Sequence, residues 1–507
     1  MTHSIATLAK DVYKEFHVHV LHPEVTAIYA NFTSRSGRLS NVKDNKEVAF
    51  VGLQYFIKDY LIREWNETFF DLPKDVAINA HRRIMTGMLG YAVDVSYLEK
   101  LHDLGYLPLR IKALPEGSMV PYQVAPLTIT NTVAGFGWLP LMIETVLSCE
   151  NWSIQTSATT ASAYYKNFKR AFEKTGGPLE LLPFMGHDFS MRGMPGRQAA
   201  SMNGFGHLSA GFGGTDTIPA VLFAEKYYGA DIEKELVGAS VNATEHSVTC
   251  SWIEEGEIDF IKYMMDGPAK EGILSVVSDT WDFWKLVTEY LPVLKDKIMN
   301  REGKLVIRPD SGDPVKILTG YTDDELILGA NESTATYSFE TGNEVEPWER
   351  KGLIECLWDI FGGTVTEQGY KLLDDHIGAI YGDAITLPRQ VEILERLMNK
   401  GFVPSVVLGI GSYSYQYVTR DTHGSAVKAT NMIKNGESVA IFKDPKTDSK
   451  KKSAKGYLRV EHEDGRFVMY DEQTLGQEDQ GELKMVYLDG KLLVETSLEE
   501  IRGRMTK

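Results

Sequence analysis

Seven short apolar runs, each ending in polar or charged residues, punctuate the middle of the chain. LELLPFMGHDF ends at Asp188 and Phe189, LSAGFGGTD at Asp216, and VGASVNATEH at Glu245 and His246. ILSVVSD then brings Asp279, LVIRPDSG brings Arg308, Asp310 and Gly312, IGAIYGD brings Gly382 and Asp383, and VVLGIG brings Gly409 and Gly411. From Phe189 to Asp310 these polar ends recur at intervals of about 30 residues, the length of one strand–helix unit. Unbroken apolar runs, as opposed to alternating ones, mark strands buried on both faces of a parallel sheet. In a β/α barrel the carboxyl ends of the strands carry the chemistry. The pattern therefore predicts an α/β chain whose centre, 151–411, is an irregular seven-stranded, TIM-like β/α barrel with a polar mouth.

The flanks read differently. AFVGLQYFIKDYLIREW repeats apolar residues at helical spacing, and LPLRIKALPEGSMVPYQVAPLTITNT alternates around Pro and Gly as antiparallel strands do. The apolar stretch from Phe136 to Ile143 is broken by Pro140 and stopped by Glu144, too short to span a bilayer, and a helix from about Trp152 to Lys174 leads into the barrel. The interval from Asp310 to Asp383 is more than twice the usual period, and its polar, acidic stretch near 318–350 reads as a surface insertion. Beyond Gly411, FKDPKTDSKKKSAKG is a basic loop, YLRVEHEDGRFVMYDE a hairpin and LEEIRGRMTK a short helix. Neither 1–150 nor 412–507 looks like a complete core, so the two are expected to pack together as one α+β domain.

Composition narrows the function. The chain has 507 residues, 43% of them hydrophobic and 24% charged, enough for two or three domains. Its formal charge of −17 excludes general nucleic-acid binding, which needs a basic face, but leaves room for a local anion site. The start carries no apolar signal-like stretch, and nothing is long enough to span a bilayer. The three cysteines form no CxxC pair, which fits a reducing cytoplasm better than a disulfide framework.

The motifs themselves point to phosphate and ribose chemistry. In RPDSGDP, Arg308 offers a planar fork to phosphate oxygens, and Asp310 can accept from ribose hydroxyls or recruit Mg²⁺; a structural Arg–Asp bridge is the plainer alternative. YGD and LGIGS, at the last two strands, suit backbone contacts to a phosphate, although a lone GxG is usually only a turn. His246, beside Glu245, can act as a base or phosphoryl acceptor, or simply be a satisfied core histidine. Asp279 can orient His246 or bind a hydrated metal; capping the helix that follows is the plainer alternative. The pair Asp374 and Asp375 and the lysines at 450–452 read as solvated loops.

Eleven segments in order along the chain resemble the nicotinamide phosphoribosyltransferases, which are dimeric type II phosphoribosyltransferases. They are KDVYK, GLQYFIKDYL, IKALPEG, HDFSMRG, GTDT, EHS, VVSDTWD, VIRPDSGDP, YGD, GIGS with TRD, and FKDP. The resemblance implies a homodimer with active sites at the interface. It implies that nicotinamide and 5-phosphoribosyl-1-pyrophosphate react with the help of Mg²⁺, and that ATP is a co-substrate hydrolysed through a phosphohistidine at His246. By the same carry-over, Phe189 and Tyr13 of the second subunit stack on the pyridine ring, while Asp216 and Arg308 read its carboxamide. Asp310 holds the ribose. Gly382, Asp383, Gly411 and Ser412 hold its phosphate end. Arg192, with Arg35, Arg420, Lys428 and Lys443 from across the dimer, meets the phosphates, and Glu245 and Asp279 support His246. The direct metal ligands are not assigned. The turn GIGSYSY departs from the family, which continues with more glycines, and Ala426 replaces its Ser two residues before Lys428. A nicotinate phosphoribosyltransferase is the rival enzyme, and a non-enzymatic binding protein on the same barrel is the rival from another class.

Overall fold

Seven parallel strands form where the apolar runs stand: β1 Gly186–Asp188, β2 Gly214–Thr215, β3 Asn242–Ala243, β4 Leu274–Val277, β5 Leu305–Arg308, β6 Ile377–Tyr381 and β7 Val407–Ile410. The computed structural model describes residues 5–328, 335–382, 384–444 and 453–507. The strand order is β2-β1-β7-β6-β5-β4-β3. A single parallel bridge between Gly214 and Ala239 links β2 to the segment entering β3, so the two edges of the curled sheet meet. The middle strands are buried on both faces, as in β4, where all four residues are buried. This is the irregular, seven-stranded α/β architecture that the apolar runs imply.

The N- and C-terminal segments share one antiparallel sheet. Its order is Glu437–Ala440, Ala426–Lys434, Val25–Thr33, Leu127–Asn131, Leu109–Ala113, Lys484–Leu488 and Lys491–Leu492. C-terminal strands thus occupy both flanks of an N-terminal centre, which explains why neither segment reads as a complete core. The last helix, Leu498–Met505, departs from that partnership. It buries Leu498, Ile501 and Met505 in the barrel core, and Arg502 donates to the carbonyls of Leu208 and Phe212.

The helix between the two cores runs from Leu139 to Thr175, starting well before the expected Trp152. Pro140 lies in its first turn, where a missing N–H costs nothing, so the proline starts the helix and does not break it. Its front half packs Leu139, Ile143 and Leu147 into the terminal domain, and its back half packs Ala158, Ala161 and Phe168 under the barrel. Part of the buried, polar middle is satisfied internally, while Gln155 Nε2 and Ser162 Oγ make no hydrogen bond. Thr156, Thr159 and Thr160 donate to the carbonyls of Trp152, Gln155 and Thr156.

Within the insertion, the described residues form a three-stranded antiparallel sheet of Leu326–Leu328, Thr336–Ser338 and Glu344–Val345. The lysines at 450–452 lie outside the described residues. No helix among the described residues is long and apolar enough to cross a membrane.

Candidate functional site

The carboxyl ends of β1 and β2 converge on one carboxylate. β1 delivers His187, Asp188 and Phe189 in succession, and the pleat sends them different ways. Asp188 is fully buried and structural: it accepts from the Ser190 N–H at 2.8 Å and from the Thr215 hydroxyl at 3.3 Å. His187 reaches Asp216, with its Nε2 2.9 Å from Oδ1, and the Ser240 hydroxyl donates to that same oxygen at 2.5 Å. Among the described residues, Oδ2 of Asp216 has no hydrogen-bond partner. Burial works against the Asp216 anion, but the His187 and Ser240 hydrogen bonds and the charge of Arg308 outweigh it and hold its carboxyl below the ordinary aspartate range. The Phe189 ring lies 4.6 Å from that of His187, and a Cβ on Gly409 would stand 2.7 Å from Phe189 Cδ2, so glycine at 409 leaves room for this ring. Sequence reasoning missed His187 and Ser240. The signal for His187 was its place inside HDF; Ser240, just ahead of β3, carried none.

The ends of β3, β4 and β5 gather a histidine between two acids. His246 Nε2 is 3.8 Å from Asp279 Oδ1 and 3.9 Å from Asp310 Oδ2, and Nδ1 is 3.1 Å from the Thr280 hydroxyl. Asp279 is not the cap of the following helix; Asp282 is, accepting from the Lys285 N–H at 2.9 Å. Oδ2 of Asp279 accepts from the Asp310 N–H at 3.1 Å and from the Ser311 hydroxyl at 2.5 Å, while its buried Oδ1 makes no hydrogen bond. Glu245 does not join this group. Its carboxylate takes the Ser247 hydroxyl. Arg308 is tethered through Nη2 to the Thr244 carbonyl, with its buried Nε unpaired.

Around this cluster, Asp310 lies against Gly382, where an added Cβ would come within 2.7 Å of Oδ1. Gly411 precedes the short helix Ser412–Gln416, and Ser412 packs so tightly on Gly193 that a side chain there has no room. That contact brings the exposed turn carrying Arg192 beside Ser412. Asp383 lies outside the described residues.

A second group of the expected residues sits elsewhere. Tyr13, Arg35, Arg420 and Lys428 line a cleft of about 320 Å³ with Lys14 and Glu144, and among the described residues no strand-end residue of the barrel borders it. Arg35, Lys428 and Lys443 also line an adjoining cleft of about 660 Å³. Glu144 is the counter-charge, paired with Lys14 and 3.8 Å from Lys428. Burial, with the nearby cations Arg35, Lys14 and Lys443, lowers the Lys428 pKa. The helix Lys14–Val20 beside Tyr13 is anchored by buried Glu15, which pairs with Lys10 at 2.6 Å, His81 at 3.0 Å and the Tyr97 hydroxyl at 2.8 Å. Burial opposes the Glu15 charge, but the His81 hydrogen bond and the Lys10 charge prevail and bring its pKa from 4.5 down to about 2. A depressed carboxyl stabilises the fold fully above its unfolded value, and that contribution fades as pH falls towards 2. Glu15→Gln is therefore expected to lower the urea midpoint at pH 7, with the deficit shrinking between pH 4.5 and about 2. A deficit independent of pH would show that charge plays no part.

The comparisons with known proteins meet this geometry. A model of the nicotinate phosphoribosyltransferase (NAPRTase) family matches residues 184–490, from just ahead of β1 through the barrel to the C-terminal sheet strand Lys484–Leu488. The chain belongs to that family. It is an enzyme of the pentosyltransferase class. A curated relative from Acinetobacter baylyi, named nicotinamide phosphoribosyltransferase, is 47% identical over 98% of this chain and 96% of its own. Another of the same name, from Xanthomonas campestris pv. campestris, is 31% identical over 98% and 97%. The crystal structure of human nicotinic acid phosphoribosyltransferase shares the fold at a TM-score of 0.52 and 16% identity, covering 98% of this chain and 93% of that one.

Proposed function

We propose that this enzyme joins nicotinamide to 5-phosphoribosyl-1-pyrophosphate, giving nicotinamide mononucleotide and pyrophosphate in NAD salvage. The observation that supports the base is Asp216. With Oδ1 taken by two donors, its unpartnered Oδ2 can accept from a carboxamide NH₂ and repels the carboxylate of nicotinate. Phe189 provides one stacking face, Tyr13 of a second copy the other, and Arg308 meets the carboxamide oxygen. Asp310 accepts from the ribose, and the backbone around Gly382, Asp383, Gly411 and Ser412 takes the phosphate end. Displacement at the anomeric carbon has oxocarbenium character. The protein therefore acts mainly by holding the neutral pyridine nitrogen in line and offering cations to the departing pyrophosphate. Those cations are Arg192 and, from the second copy, Arg35, Arg420, Lys428 and Lys443.

Mg²⁺ suits the donors present. The unpaired Oδ1 of Asp279 and the half-exposed carboxylate of Asp310 are hard oxygen ligands, and Mg²⁺ otherwise relies on water and substrate phosphates. Bound there, it would neutralise charge on the pyrophosphate. His246 is the site we assign to ATP. We assign the Nδ1 proton to the Thr280 hydrogen bond, which leaves the lone pair of the half-exposed Nε2 to take the γ-phosphoryl group. The P–O bond to ADP breaks as the P–N bond forms, and water later releases phosphate. The reading extends to a homodimer acting in the cytoplasm.

Purified protein given phosphoribosyl pyrophosphate, Mg²⁺ and equal nicotinamide and nicotinate is expected to make chiefly nicotinamide mononucleotide, more of it with ATP, by mass spectrometry. Asp216→Ser is expected to lower kcat/KM for nicotinamide about 10- to 100-fold and to admit nicotinate. Nicotinate mononucleotide as the wild-type product would favour the rival enzyme and overturn the base choice.

A further inference from the structure

We propose that His187 is a positioning residue that sets the enzyme's preference for amide over acid, by holding Asp216 through one oxygen so that only the other reaches the base. The inference rests on the proposed function, in which Asp216 reads the carboxamide.

Three features converge on this side chain. His187 is 8% exposed, so its ring is closely confined. Its Nε2 lies 2.9 Å from Asp216 Oδ1, the oxygen that also takes the Ser240 hydroxyl. Its ring packs against Phe189 at 4.6 Å and 36°, so one imidazole touches both the stacking residue and the amide-reading acid. The Asp216 side chain is 48% open to solvent, and among the described residues no other hydrogen bond restrains its carboxylate. Without the two donors its carboxylate can turn about its last torsion and take up a proton more readily. A protonated Asp216 can donate to a carboxylate, and the rejection of nicotinate weakens.

Asparagine and glutamine separate placement from packing. The Gln amide nitrogen falls near the position of His Nε2, while that of Asn falls near Nδ1 and stops short of Asp216. The test measures kcat/KM for nicotinamide and for nicotinate in wild type, His187→Asn, His187→Gln and Ser240→Ala. His187→Asn is expected to lower the nicotinamide-to-nicotinate ratio about tenfold, chiefly through KM for nicotinamide, with KM for phosphoribosyl pyrophosphate unchanged. His187→Gln should restore most of the ratio, and Ser240→Ala, which alters only an exposed hydroxyl, should lower it less. If Asn and Gln slow both bases by the same factor, or leave the ratio where it was, His187 only fills space and the inference is wrong. Wild-type protein that turns over neither base would instead overturn the proposed function.

Discussion

Asp279→Ala is expected to lower kcat/KM of the transferase about 10²- to 10³-fold, because one buried carboxylate organises two strand ends. Its Oδ2 holds the Asp310 N–H at 3.1 Å and the Ser311 hydroxyl at 2.5 Å, so it shapes the turn that follows β5. Its Oδ1, buried and without a hydrogen bond, stands 3.8 Å from His246. Alanine leaves the Asp310 N–H without its acceptor and frees the turn, and the side chain proposed to hold the ribose loses its placement. The same change takes away an acid beside the proposed phosphoryl acceptor. Acid-labile labelling from γ-³²P-ATP is therefore expected to fall together with nucleotide synthesis. Asp279→Asn keeps the volume and one acceptor for the turn, so its loss should be smaller, about tenfold. An alanine variant within about twofold of wild type, with unchanged labelling, would remove Asp279 from both roles.

The barrel was legible because strands buried on both faces leave unbroken apolar runs, and the loaded residue at each end marks which way the strand points. The shared terminal sheet was legible as two incomplete cores. The start of the long helix was not, since Pro140 reads as a break until its place in the first turn is known, and the threonines that follow look polar until their hydroxyls are seen to bond back along the helix. Asp279 and Asp282 both precede the same helix, and nothing in SDTWD says which one caps it. The link from His187 to Asp216 and Ser240 joins β1, β2 and the approach to β3, residues far apart in the chain that become neighbours only when the sheet curls. Glu245 shows the converse. It sits next to His246 in sequence, but at a strand-to-helix turn successive side chains diverge, and its carboxylate finds Ser247.

Mixing two inactive variants is expected to recover activity, and this is the most direct test of the second copy. Each chain carries two separate groups. One is the strand-end cluster of Phe189, Asp216, His246, Asp279, Arg308 and Asp310. The other is the cationic cleft with Tyr13, Arg35, Arg420 and Lys428, which no described strand-end residue borders. The cleft group fits the proposed reaction only if it reaches a barrel mouth, and a two-fold partner can bring it there. Beside it, the helix Lys14–Val20 leaves Phe16 55% and Val20 56% exposed, with Tyr13 at 56%, an apolar stripe suited to contact between copies. Tyr13→Ala and Asp310→Ala should each lose most activity alone. In a two-fold dimer made by co-refolding equal amounts, half the molecules pair one variant with the other, and each such dimer regains one intact site. Recovery of about a quarter of wild-type activity is then expected. If the active site instead lies within a single chain, the mixture shows only the two residual activities weighted by each variant's share, with no recovery at any ratio.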